Sequence, residues 1–454
     1  MKLPLDQIAH WMSATLHGHA PAATGYSIDS RTLNPGDLFF AVRGERFDGH
    51  DFVTAALERG ACAAVVAKTK VLDLPEAARQ NALLIVDEPL IALQTLAAAV
   101  RRHWGRRVVG ITGSAGKTTT KEAIAVVLGA KFHVLKSQGN LNNGFGLPLQ
   151  LLRLEPGHEM AVIEMGMSNA GEIAALAHVA VPNWGVVTNV GNAHAENFPD
   201  GIAGVARAKY ELIAALPADG VAFLNCDDAY VSQFGRDFRG KTVYFGKGPC
   251  SDPKAESVDE LGAEGIRIQV RAGARETQVR LRLLGQHNVA NAMAAIAVGL
   301  EAGVPLEDCA RSLTMLEPGD KRGQTLHLRG ATIINDCYNS NPEALKAMIR
   351  TLMSVPGQRH ILVAGEMLEL GRETAALHAS CGEAARDVDI VLGVRGNAVH
   401  IVEAAKQGGA EALFMETPEL AGAWLKRNLR EKDVVLLKAS RGVRLERALD
   451  ELEK

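Results

Sequence analysis

A glycine-rich loop with an embedded lysine is the stretch of this sequence best suited to chemistry. It reads GITGSAGKTTT over residues 110–120, after the apolar pair Val108-Val109 and before a segment with apolar residues at helical spacing. This order predicts a strand, a loop and a helix. The N–H groups of such a loop and the positive end of the helix dipole can cradle a polyphosphate.

Within this loop, Lys117 can reach β- and γ-phosphate oxygens, and the Thr118 hydroxyl can ligate the accompanying Mg²⁺. Ile111 stands where a strict P-loop has glycine, so a glycine-rich turn with an incidental lysine is the alternative. The predicted ATP-binding residues here are Gly113, Ser114, Ala115, Gly116, Lys117, Thr118 and Thr119.

Two side chains that can bind metal follow apolar strands farther along the chain. The run 160–163 ends at Glu164, and the run 184–190 is followed by His194. A glutamate at a strand end or a lone histidine is by itself more often structural. Since ligands collect at the carboxyl ends of parallel strands, the P-loop upstream favours metal or phosphate ligands at both positions.

A polar, glycine-rich cluster lies between the P-loop helix and the strand that ends at Glu164. Residues 137–144, SQGNLNNG, are too polar for a packed element, and they predict an active-site loop. Its candidate substrate-binding residues are Asn140, Asn142 and Asn143.

The motif GQHNVANA, residues 285–292, opens an alanine-rich helix. Asn288 and Asn291 are three apart and share a helical face, so both amides could address one partner such as an adenine edge. A helix cap is an equally good interpretation of Asn288.

The N-terminal region carries two polar loops that could together hold an anionic group, because Arg offers a planar fork and Gly permits close backbone approach. From residue types alone, a pair of solvated loops is the more ordinary interpretation. The candidate residues are Ser30, Arg31, Gly44, Asp48 and His50.

After the turn-rich segment 316–323, apolar strands and helical stretches alternate, which predicts a Rossmann-like sheet with helices on both faces. The expected strands are 332–335, 361–364, 390–394, 412–415 and 434–437. The loops that follow three of them, DCYNSNP, GEMLELG and KASRG, are expected to line one crevice. No Gly-x-Gly-x-x-Gly occurs there, so a dinucleotide is disfavoured.

Composition excludes several classes of protein. With 47% hydrophobic and 22% charged residues and a net charge of −3, neither a disordered chain nor a general nucleic-acid-binding surface is indicated. The start lacks a signal-peptide pattern and no long apolar run occurs, so we expect a cytoplasmic protein without membrane insertion. A monomer is also expected. Six cysteines without Cys-x-x-Cys spacing argue against structural zinc and a disulfide framework; most should be core residues or free thiols.

A length of 454 residues suggests about three domains. We therefore predict an α/β protein: a small N-terminal α/β domain (1–84), a central P-loop domain with a parallel sheet (85–317) and a C-terminal Rossmann-like domain (318–454). Short alternating strands within 236–282 predict an antiparallel addition to an edge of the central sheet.

Taken in order, these motifs resemble those of the Mur ligase family, the ATP-dependent amide-bond-forming enzymes of bacterial cell-wall precursor synthesis. The resemblance covers essentially the whole chain. It is carried by TGSAGKTT, EMG followed by GEI, His194 and Lys209 in order, GQHNVANA, DCYNSNP, GEMLELG and KASRG. DCYNSNP with GEMLELG is most similar to members that add D-alanyl-D-alanine to UDP-N-acetylmuramoyl-tripeptide. Two departures are Ser168-Asn169, where many relatives read Glu-x-Gly-x-Asn-His, and Glu366, where aspartate is commoner.

The resemblance assigns roles that the residues alone do not. It implies that Lys209, by helical periodicity a surface charge, is a carbamylated metal ligand beside Thr118, Glu164 and His194, with Lys117, Glu164, His194 and Lys209 forming the catalytic set. It implies ATP contacts from Asn288, Asn291, Arg322, Asp336 and Tyr338. It also implies that the N-terminal loops bind the UDP moiety, and that Asn339, Asn341, Ser440 and Arg441 lie near the incoming dipeptide.

The activity implied is phosphorylation of the tripeptide carboxylate by ATP with two Mg²⁺, followed by attack of the D-alanyl-D-alanine amine on the acyl phosphate. Phosphorylation supplies the leaving group that a carboxylate lacks, and the protein positions and neutralises charge. Two alternatives remain. One is a Mur or folylpolyglutamate-type ligase that adds a single amino acid, and the other is a regulatory P-loop ATPase.

Overall fold

The computed structural model describes all 454 residues and contains four sheets. None of its helices combines the length and the apolar character that crossing a bilayer requires. The mixed α/β class predicted from the sequence is confirmed, since three of the sheets are mainly parallel and carry helices between their strands.

The N-terminal unit is built on a five-stranded sheet of order β1-β5-β4-β3-β2, in which only β1 runs antiparallel to its neighbour. Its central strands are fully buried apolar runs, as expected for parallel strands covered on both faces. Its elements are α1 (Leu5–Met12), β1 (Thr15–His17), β2 (Gly25–Ser27), β3 (Asp37–Phe40), α2 (Val53–Glu58), β4 (Ala63–Ala67), α3 (Glu76–Arg79) and β5 (Leu83–Val86).

The central unit contains a six-stranded parallel sheet of order β11-β10-β9-β6-β8-β7. Its first elements are α4 (Pro89–Trp104), β6 (Arg107–Thr112), α5 (Lys117–Leu128), β7 (Val134–Lys136), α6 (Gly146–Leu151), β8 (Met160–Glu164), α7 (Glu172–Ala180), β9 (Trp184–Val187), α8 (Ile202–Ala214), β10 (Val221–Asn225) and β11 (Lys241–Phe245). Because β6 lies between β8 and β9, the loops after these three strands meet at the carboxyl ends of the parallel strands. Ligands bind there in open α/β folds.

The strands expected as an edge addition form a separate antiparallel sheet of order β12-β13-β14 instead, and that prediction was wrong. A single bridge between Gly246 and Lys254 links this sheet to the central one. Its apolar face packs against two helices, so burial rather than edge pairing anchors it. The elements are β12 (Lys254–Glu260), β13 (Ile266–Ala272), β14 (Arg275–Leu281), α9 (His287–Glu301) and α10 (Leu306–Leu313).

The C-terminal unit has a six-stranded sheet of order β15-β16-β20-β17-β18-β19. The five predicted strands are present, and β15 is an additional strand that pairs antiparallel with β16. The elements are β15 (Gln324–Leu328), β16 (Ala331–Asp336), α11 (Pro342–Ser354), β17 (Arg359–Gly365), α12 (Thr374–Ala384), β18 (Ile390–Val394), α13 (Ala398–Gln407), β19 (Glu411–Met415), α14 (Pro418–Asn428), β20 (Asp433–Lys438) and α15 (Arg447–Glu453).

Two details of the sequence interpretation need correction. A boundary at residue 84 would cut β5, which pairs along its length with β4 of the N-terminal sheet, so the unit extends at least to Val86. Cys226 and Cys250 form a disulfide, because the loops after the neighbouring strands β10 and β11 bring their Cα atoms to 5.9 Å. The other four cysteines are free, and three of them are buried.

Candidate active site

The P-loop connects β6 to α5 as the sequence predicts, and its glycines are needed for close approach. Gly116 has a φ of +80°, and a Cβ there would lie 2.6 Å from Asn291 Oδ1. At Gly113 a Cβ would lie 1.8 Å from Thr188 Oγ1. Any side chain at either position would therefore collide with a neighbouring polar group or distort the loop.

The segment after β9 holds the P-loop in place. Thr188 Oγ1 donates to Ala115 O at 2.7 Å, and Asn189 Oδ1 accepts from Ala115 N at 2.8 Å. Gly191 N donates to Ser114 Oγ at 2.8 Å. Sequence reasoning missed Thr188 and Asn189 as site residues; two polar residues directly after the apolar run 184–187 were the available signal.

Glu164 ends β8 beside the start of α5. Its carboxylate accepts from Thr118 Oγ1 at 2.9 Å and from Asn142 Nδ2 at 2.8 Å. The residue is 3% exposed and forms no ion pair, so both of its partners are neutral. Because no cation contacts this buried carboxylate directly, a bound cation would add the charge partner that its hydrogen bonds do not supply.

Two lysines lie close enough to affect each other at this site. Lys117 Nζ donates to Gly113 O at 2.7 Å; burial and the Arg322 charge lower its pKa, against the opposing effect of Glu164. Lys209 is 2% exposed, and its pKa is lowered well below the usual value by burial and then by Lys117. Helical periodicity predicted that Lys209 lies on the surface. In the structure it is buried instead, with no carboxylate to stabilise its charged form.

His194 begins the short 3₁₀ turn Ala195–Asn197 with a left-handed backbone, φ +65°. Its Nδ1 lies 2.7 Å from Glu369 Oε2 of the GEMLELG loop, on the C-terminal unit. Burial lowers its pKa, opposed by Glu369 and assisted by Lys117 and Lys209. The ring is therefore neutral near pH 7, the state in which imidazole binds a metal.

These candidate ligands do not by themselves complete a metal site. No group of three or more His, Cys, Asp or Glu side chains is arranged to hold a metal ion. Glu164 and His194 therefore lack a third ligand of these types. Lys209 would serve as a ligand only after chemical modification, because a protonated ammonium has no lone pair.

The helix α9 presents its two asparagines on one face, as predicted. Asn291 Nδ2 donates to Asn288 Oδ1 at 2.8 Å, and Asn291 Oδ1 accepts from Thr120 Oγ1 at 2.9 Å. Asn288 Nδ2 donates to Leu284 O at 2.8 Å. The pair thus ties α9 to the P-loop helix while lining the cavity.

The C-terminal unit supplies the opposite wall. The Arg322 guanidinium carbon lies 3.7 Å from the centre of the Tyr338 ring, a stacked cation–π contact. Lys438 Nζ donates to Asp336 Oδ2 at 2.6 Å and to Asn339 O at 2.9 Å. Lys438 is buried and was not predicted, although it is the first residue of KASRG.

A cavity of about 720 Å³ lies between the two walls, within the size range of small-molecule sites. The predicted site residues that line it are Ser114, Ala115, Gly116, Lys117, Thr118, Thr119, Asn140, Asn142, Asn143, Glu164, His194, Asn288, Asn291, Arg322, Asp336, Tyr338, Asn339 and Asn341. The strand, loop and helix predicted around Lys117 therefore form one wall of this cavity.

Only Lys438 of the KASRG loop lines this cavity, and the GEMLELG loop does not line it, contrary to expectation. Ser440 Oγ donates to Ser340 O and accepts from Leu368 N, so its hydroxyl holds loops together. Arg441 pairs with Glu446 at 2.7 Å and lines a separate surface hollow. Glu366 accepts from the Asn397 backbone and side chain, which gives it a structural role. Asn341 lines the cavity, but its Oδ1 caps α11 through Ala344 N.

The N-terminal candidates also lie outside this cavity, and most of their charged groups are paired. Arg31 Nη2 lies 2.8 Å from Asp29 Oδ2 and is 86% exposed. His50 Nδ1 lies 2.6 Å from Asp48 Oδ1, and His50 Nε2 accepts from Ala67 N at 2.9 Å. Gly44 N donates to Phe47 O, which closes the loop, and Ser30 is half-buried. His50 and Asp48 therefore stabilise their own loop.

Comparisons with known families identify three regions in order. Residues 22–102 match the description "Mur ligase family, catalytic domain", 111–299 match "Mur ligase middle domain" and 321–441 match "Mur ligase, glutamate ligase domain". The resemblance stated from the motifs is therefore confirmed.

Individual relatives extend over the whole chain. UDP-N-acetylmuramoyl-tripeptide--D-alanyl-D-alanine ligase of Bacillus subtilis is 37% identical, covering 100% of this chain and 98% of that protein. The crystal structure of MurF from Acinetobacter baumannii is 29% identical with a TM-score of 0.90, covering 100% and 99%. The structure of MurF ligase from Thermotoga maritima in complex with ADP is 31% identical with a TM-score of 0.82, covering 94% and 97%. With three family regions in order and a 37% identical relative along its full length, this chain belongs to the Mur ligase family.

Proposed function

We propose that this chain is an ATP-dependent ligase that joins D-alanyl-D-alanine to UDP-N-acetylmuramoyl-tripeptide, giving the pentapeptide precursor of peptidoglycan. The single observation that carries the chemistry is the cavity of about 720 Å³ with the P-loop on one wall and the Arg322–Tyr338 stack on the other. The substrates are those named for the Bacillus subtilis relative, and the ADP complex of the Thermotoga maritima relative supports a nucleotide in this cavity.

The roles of the cavity residues follow from their charge. Lys117 and the N–H groups of residues 116–119, at the start of α5, neutralise the triphosphate, so that negative charge gathering on the transferred phosphoryl group is stabilised. Arg322 lies over Tyr338 and offers a guanidinium from the C-terminal unit. Asn288 and Asn291 form the adenine side of the cavity, and Asp336 fixes Lys438 at its rim.

The residues present fit Mg²⁺ at Glu164, because this buried carboxylate has only neutral partners. Thr118, Glu164 and His194 would hold the metal, which supplies positive charge at phosphate oxygens when bound. The lowered pKa of Lys209 favours a neutral amine, the form that reacts with carbon dioxide. A carbamate there would neutralise the buried cation and supply the missing anionic ligand.

Two substrate sites complete the proposal. The exposed Arg31 and its neighbours Ser30, Gly44, Asp48 and His50 would bind the UDP moiety on the N-terminal unit, with Asn140, Asn142 and Asn143 nearer the tripeptide carboxylate. Asn339 and Asn341 would lie nearest the dipeptide, whereas Ser440 and Arg441 would act through the loops that they hold. All three domains would thus contribute to the reaction, and the boundary between the first and second domains lies after Val86.

Phosphate release tests the proposal when it is measured with ATP plus every combination of UDP-N-acetylmuramoyl-tripeptide and D-alanyl-D-alanine. We expect rapid release only when both co-substrates are present, with pentapeptide formed in equal amount. Release without an acceptor amine would instead indicate a regulatory ATPase. Equal turnover with single amino acids or with folate and glutamate would indicate another ligase of the family.

A further inference from the structure

Glu343, on the C-terminal unit, has the fewest protein contacts to its charge among the acidic side chains of the cavity. Seven acidic residues line the cavity. Each of the other six is paired with a lysine or arginine or accepts at least two hydrogen bonds; they are Glu122, Glu164, Glu172, Asp228, Glu317 and Asp336. Glu343 Oε1 accepts one hydrogen bond, from the neutral amide Asn192 Nδ2 at 2.7 Å. Its Oε2 has no protein partner and is free to bind a ligand.

This free oxygen lies beside the phosphate-binding loop. A Cβ built on Gly191 would be 3.7 Å from Glu343 Oε2 and 3.5 Å from Ser114 Cβ. Gly191 N also donates to Ser114 Oγ at 2.8 Å, so Gly191 contacts both the P-loop and the carboxylate. Glu343 therefore brings a negative charge from the C-terminal unit to the edge of the predicted nucleotide site.

The position of this charge is unfavourable once a nucleotide is bound. An exposed carboxylate with one partner is ordinary where only water surrounds it, but a triphosphate on the P-loop would bring more negative charge, and like charges repel. Glu343 lies in the first turn of α11, where the helix N-terminus favours a negative charge. A cation between Glu343 and the nucleotide would relieve the repulsion.

The proposed reaction supplies one suitable cation besides Mg²⁺. The amine of D-alanyl-D-alanine is largely protonated at pH 7, since an α-amino group has a pKa of about 8. Mg²⁺ already has its proposed ligands in Thr118, Glu164 and His194. Glu343 follows Asn341 by two residues, and Asn341 belongs to the loop proposed to lie nearest the dipeptide. The ammonium group of the dipeptide is therefore the cation that fits this position.

We propose that Glu343 binds the ammonium group of the incoming dipeptide. Its free Oε2 accepts a charge-assisted hydrogen bond from the amine and thereby holds that end of the dipeptide beside the P-loop. This inference rests on the proposed function and deepens it, because it names the residue that recognises the amine. A ligand with a hydroxyl in place of the amine can still donate a hydrogen bond, but it lacks the charge and binds more weakly.

The hydrogen bond to Asn192 allows the charge to be separated from the contact between the two units. Glu343→Gln removes the charge but keeps an oxygen that can accept from Asn192 Nδ2. Asn192→Ala removes that contact and leaves the carboxylate. Glu383→Gln, at an exposed position of α12 outside the cavity, is the control for the loss of one negative charge from this unit.

The experiment is isothermal titration calorimetry on the full-length protein with Mg²⁺, a non-hydrolysable ATP analogue and UDP-N-acetylmuramoyl-tripeptide. The ligands are D-alanyl-D-alanine and D-lactyl-D-alanine, whose hydroxyl replaces the amine. We expect the wild type to bind the amine about tenfold more tightly, as for a hydrogen bond between charged groups, and Glu343→Gln to abolish this preference. Asn192→Ala and Glu383→Gln should keep it. Circular dichroism checks the fold of each variant.

A wild-type preference in Glu343→Gln would overturn the inference and leave the proposed function intact, as would equal affinity of the wild type for the two ligands. Equal losses in Glu343→Gln and Asn192→Ala would overturn it too, because the contact between the units would then be the cause. Affinity for the ATP analogue should be unchanged or higher in Glu343→Gln, and a decrease would assign the carboxylate to the nucleotide and its metal instead. If the wild type bound neither ligand, the proposed function would fail, and the inference with it.

Discussion

The charged side chains of the N-terminal loops are paired within the protein, whereas two buried charged residues at the P-loop, Glu164 and Lys209, have no oppositely charged group in contact. In the loops Arg31 pairs with Asp29, and His50 is held between Asp48 and the Ala67 N–H. At the P-loop cavity Glu164 has only neutral hydrogen-bond partners, and Lys209, buried near Lys117, has no compensating carboxylate. The charges of the N-terminal loops are therefore balanced without a ligand, whereas those of Glu164 and Lys209 are not.

This difference indicates where binding is built into the fold. A buried unpaired charge destabilises the protein by itself, so its presence points to a ligand that compensates it. An exposed ion pair opens at little cost, so Arg31 can exchange Asp29 for a phosphate. Substitutions at the cavity should therefore change both the activity and the free energy of unfolding. Substitutions in the loops should change one of these without the other.

The largest effect is expected for Lys117→Ala. Loss of this cation removes charge stabilisation from the transferred phosphoryl group, so kcat should fall about 10²–10³-fold or more. Steady-state phosphate release with both co-substrates measures the change, and circular dichroism checks the fold. Activity equal to that of the wild type would remove the basis for the ATP site.

Lys209→Met tests the unpaired cation directly. Because burial lowers the pKa of this amine, folding must remove its proton or bury its charge, and either costs free energy. Replacing it by an apolar side chain of similar length should raise the free energy of unfolding without ligands by about 1–3 kcal/mol. If Lys209 holds the metal as proposed, the same change should reduce kcat at least about 100-fold. Denaturant unfolding and phosphate release provide the two readouts.

Lys406→Met, at an exposed position of α13, is the matched control for Lys209→Met. Its unfolding free energy should remain within about 0.5 kcal/mol of the wild type. A Lys209→Met protein less stable than the wild type would mean that Lys209 already has stabilising partners in the fold. The contrast between paired charges in the N-terminal loops and unpaired charges at the P-loop would then be wrong.

His50→Ala probes the completed network of the N-terminal loops. It leaves the Ala67 N–H without its partner and removes the side-chain partner of the Asp48 carboxylate, which keeps only the backbone N–H of residue 50, so the free energy of unfolding should fall by about 1–3 kcal/mol. Denaturant unfolding measures this, with His19→Ala at an exposed position as control. An unchanged stability would show that the network contributes nothing.

The smallest effect on the protein itself is expected for Arg31→Ala. Because the pair with Asp29 is exposed, unfolding should change by less than about 1 kcal/mol. The KM for UDP-N-acetylmuramoyl-tripeptide should rise about tenfold or more, as expected for a lost charge-assisted hydrogen bond to phosphate, with kcat unchanged. Unchanged KM would place the UDP moiety elsewhere.

Local patterns predicted the parts of the site that are local in the chain. The strand, loop and helix around Lys117, the polar end of β8 at Glu164 and the shared face of Asn288 and Asn291 follow from spacing alone, and so do the five parallel strands of the C-terminal sheet. For each of these, the periodicity of a few neighbouring residues determines which way the side chains point.

Tertiary proximity accounts for most of what the sequence did not predict. The burial of Lys209 depends on what packs against α8, and the disulfide depends on β10 and β11 being neighbours. Ser440 and Arg441 follow a strand that ends at the correct edge, but their side chains bind loops of their own unit. Glu369 meets His194 only across an interface, which no spacing in the chain records.

The central claim is that ATP activates the tripeptide carboxylate by phosphorylation. Its most direct test uses UDP-N-acetylmuramoyl-tripeptide labelled with ¹⁸O in the acceptor carboxylate, with D-alanyl-D-alanine and ATP, and mass spectrometry of the released phosphate. Attack of the amine on an acyl phosphate leaves one carboxylate oxygen on the phosphate, so each phosphate should carry one labelled oxygen. Unlabelled phosphate released together with pentapeptide would contradict the account, because the acid would then never have been phosphorylated.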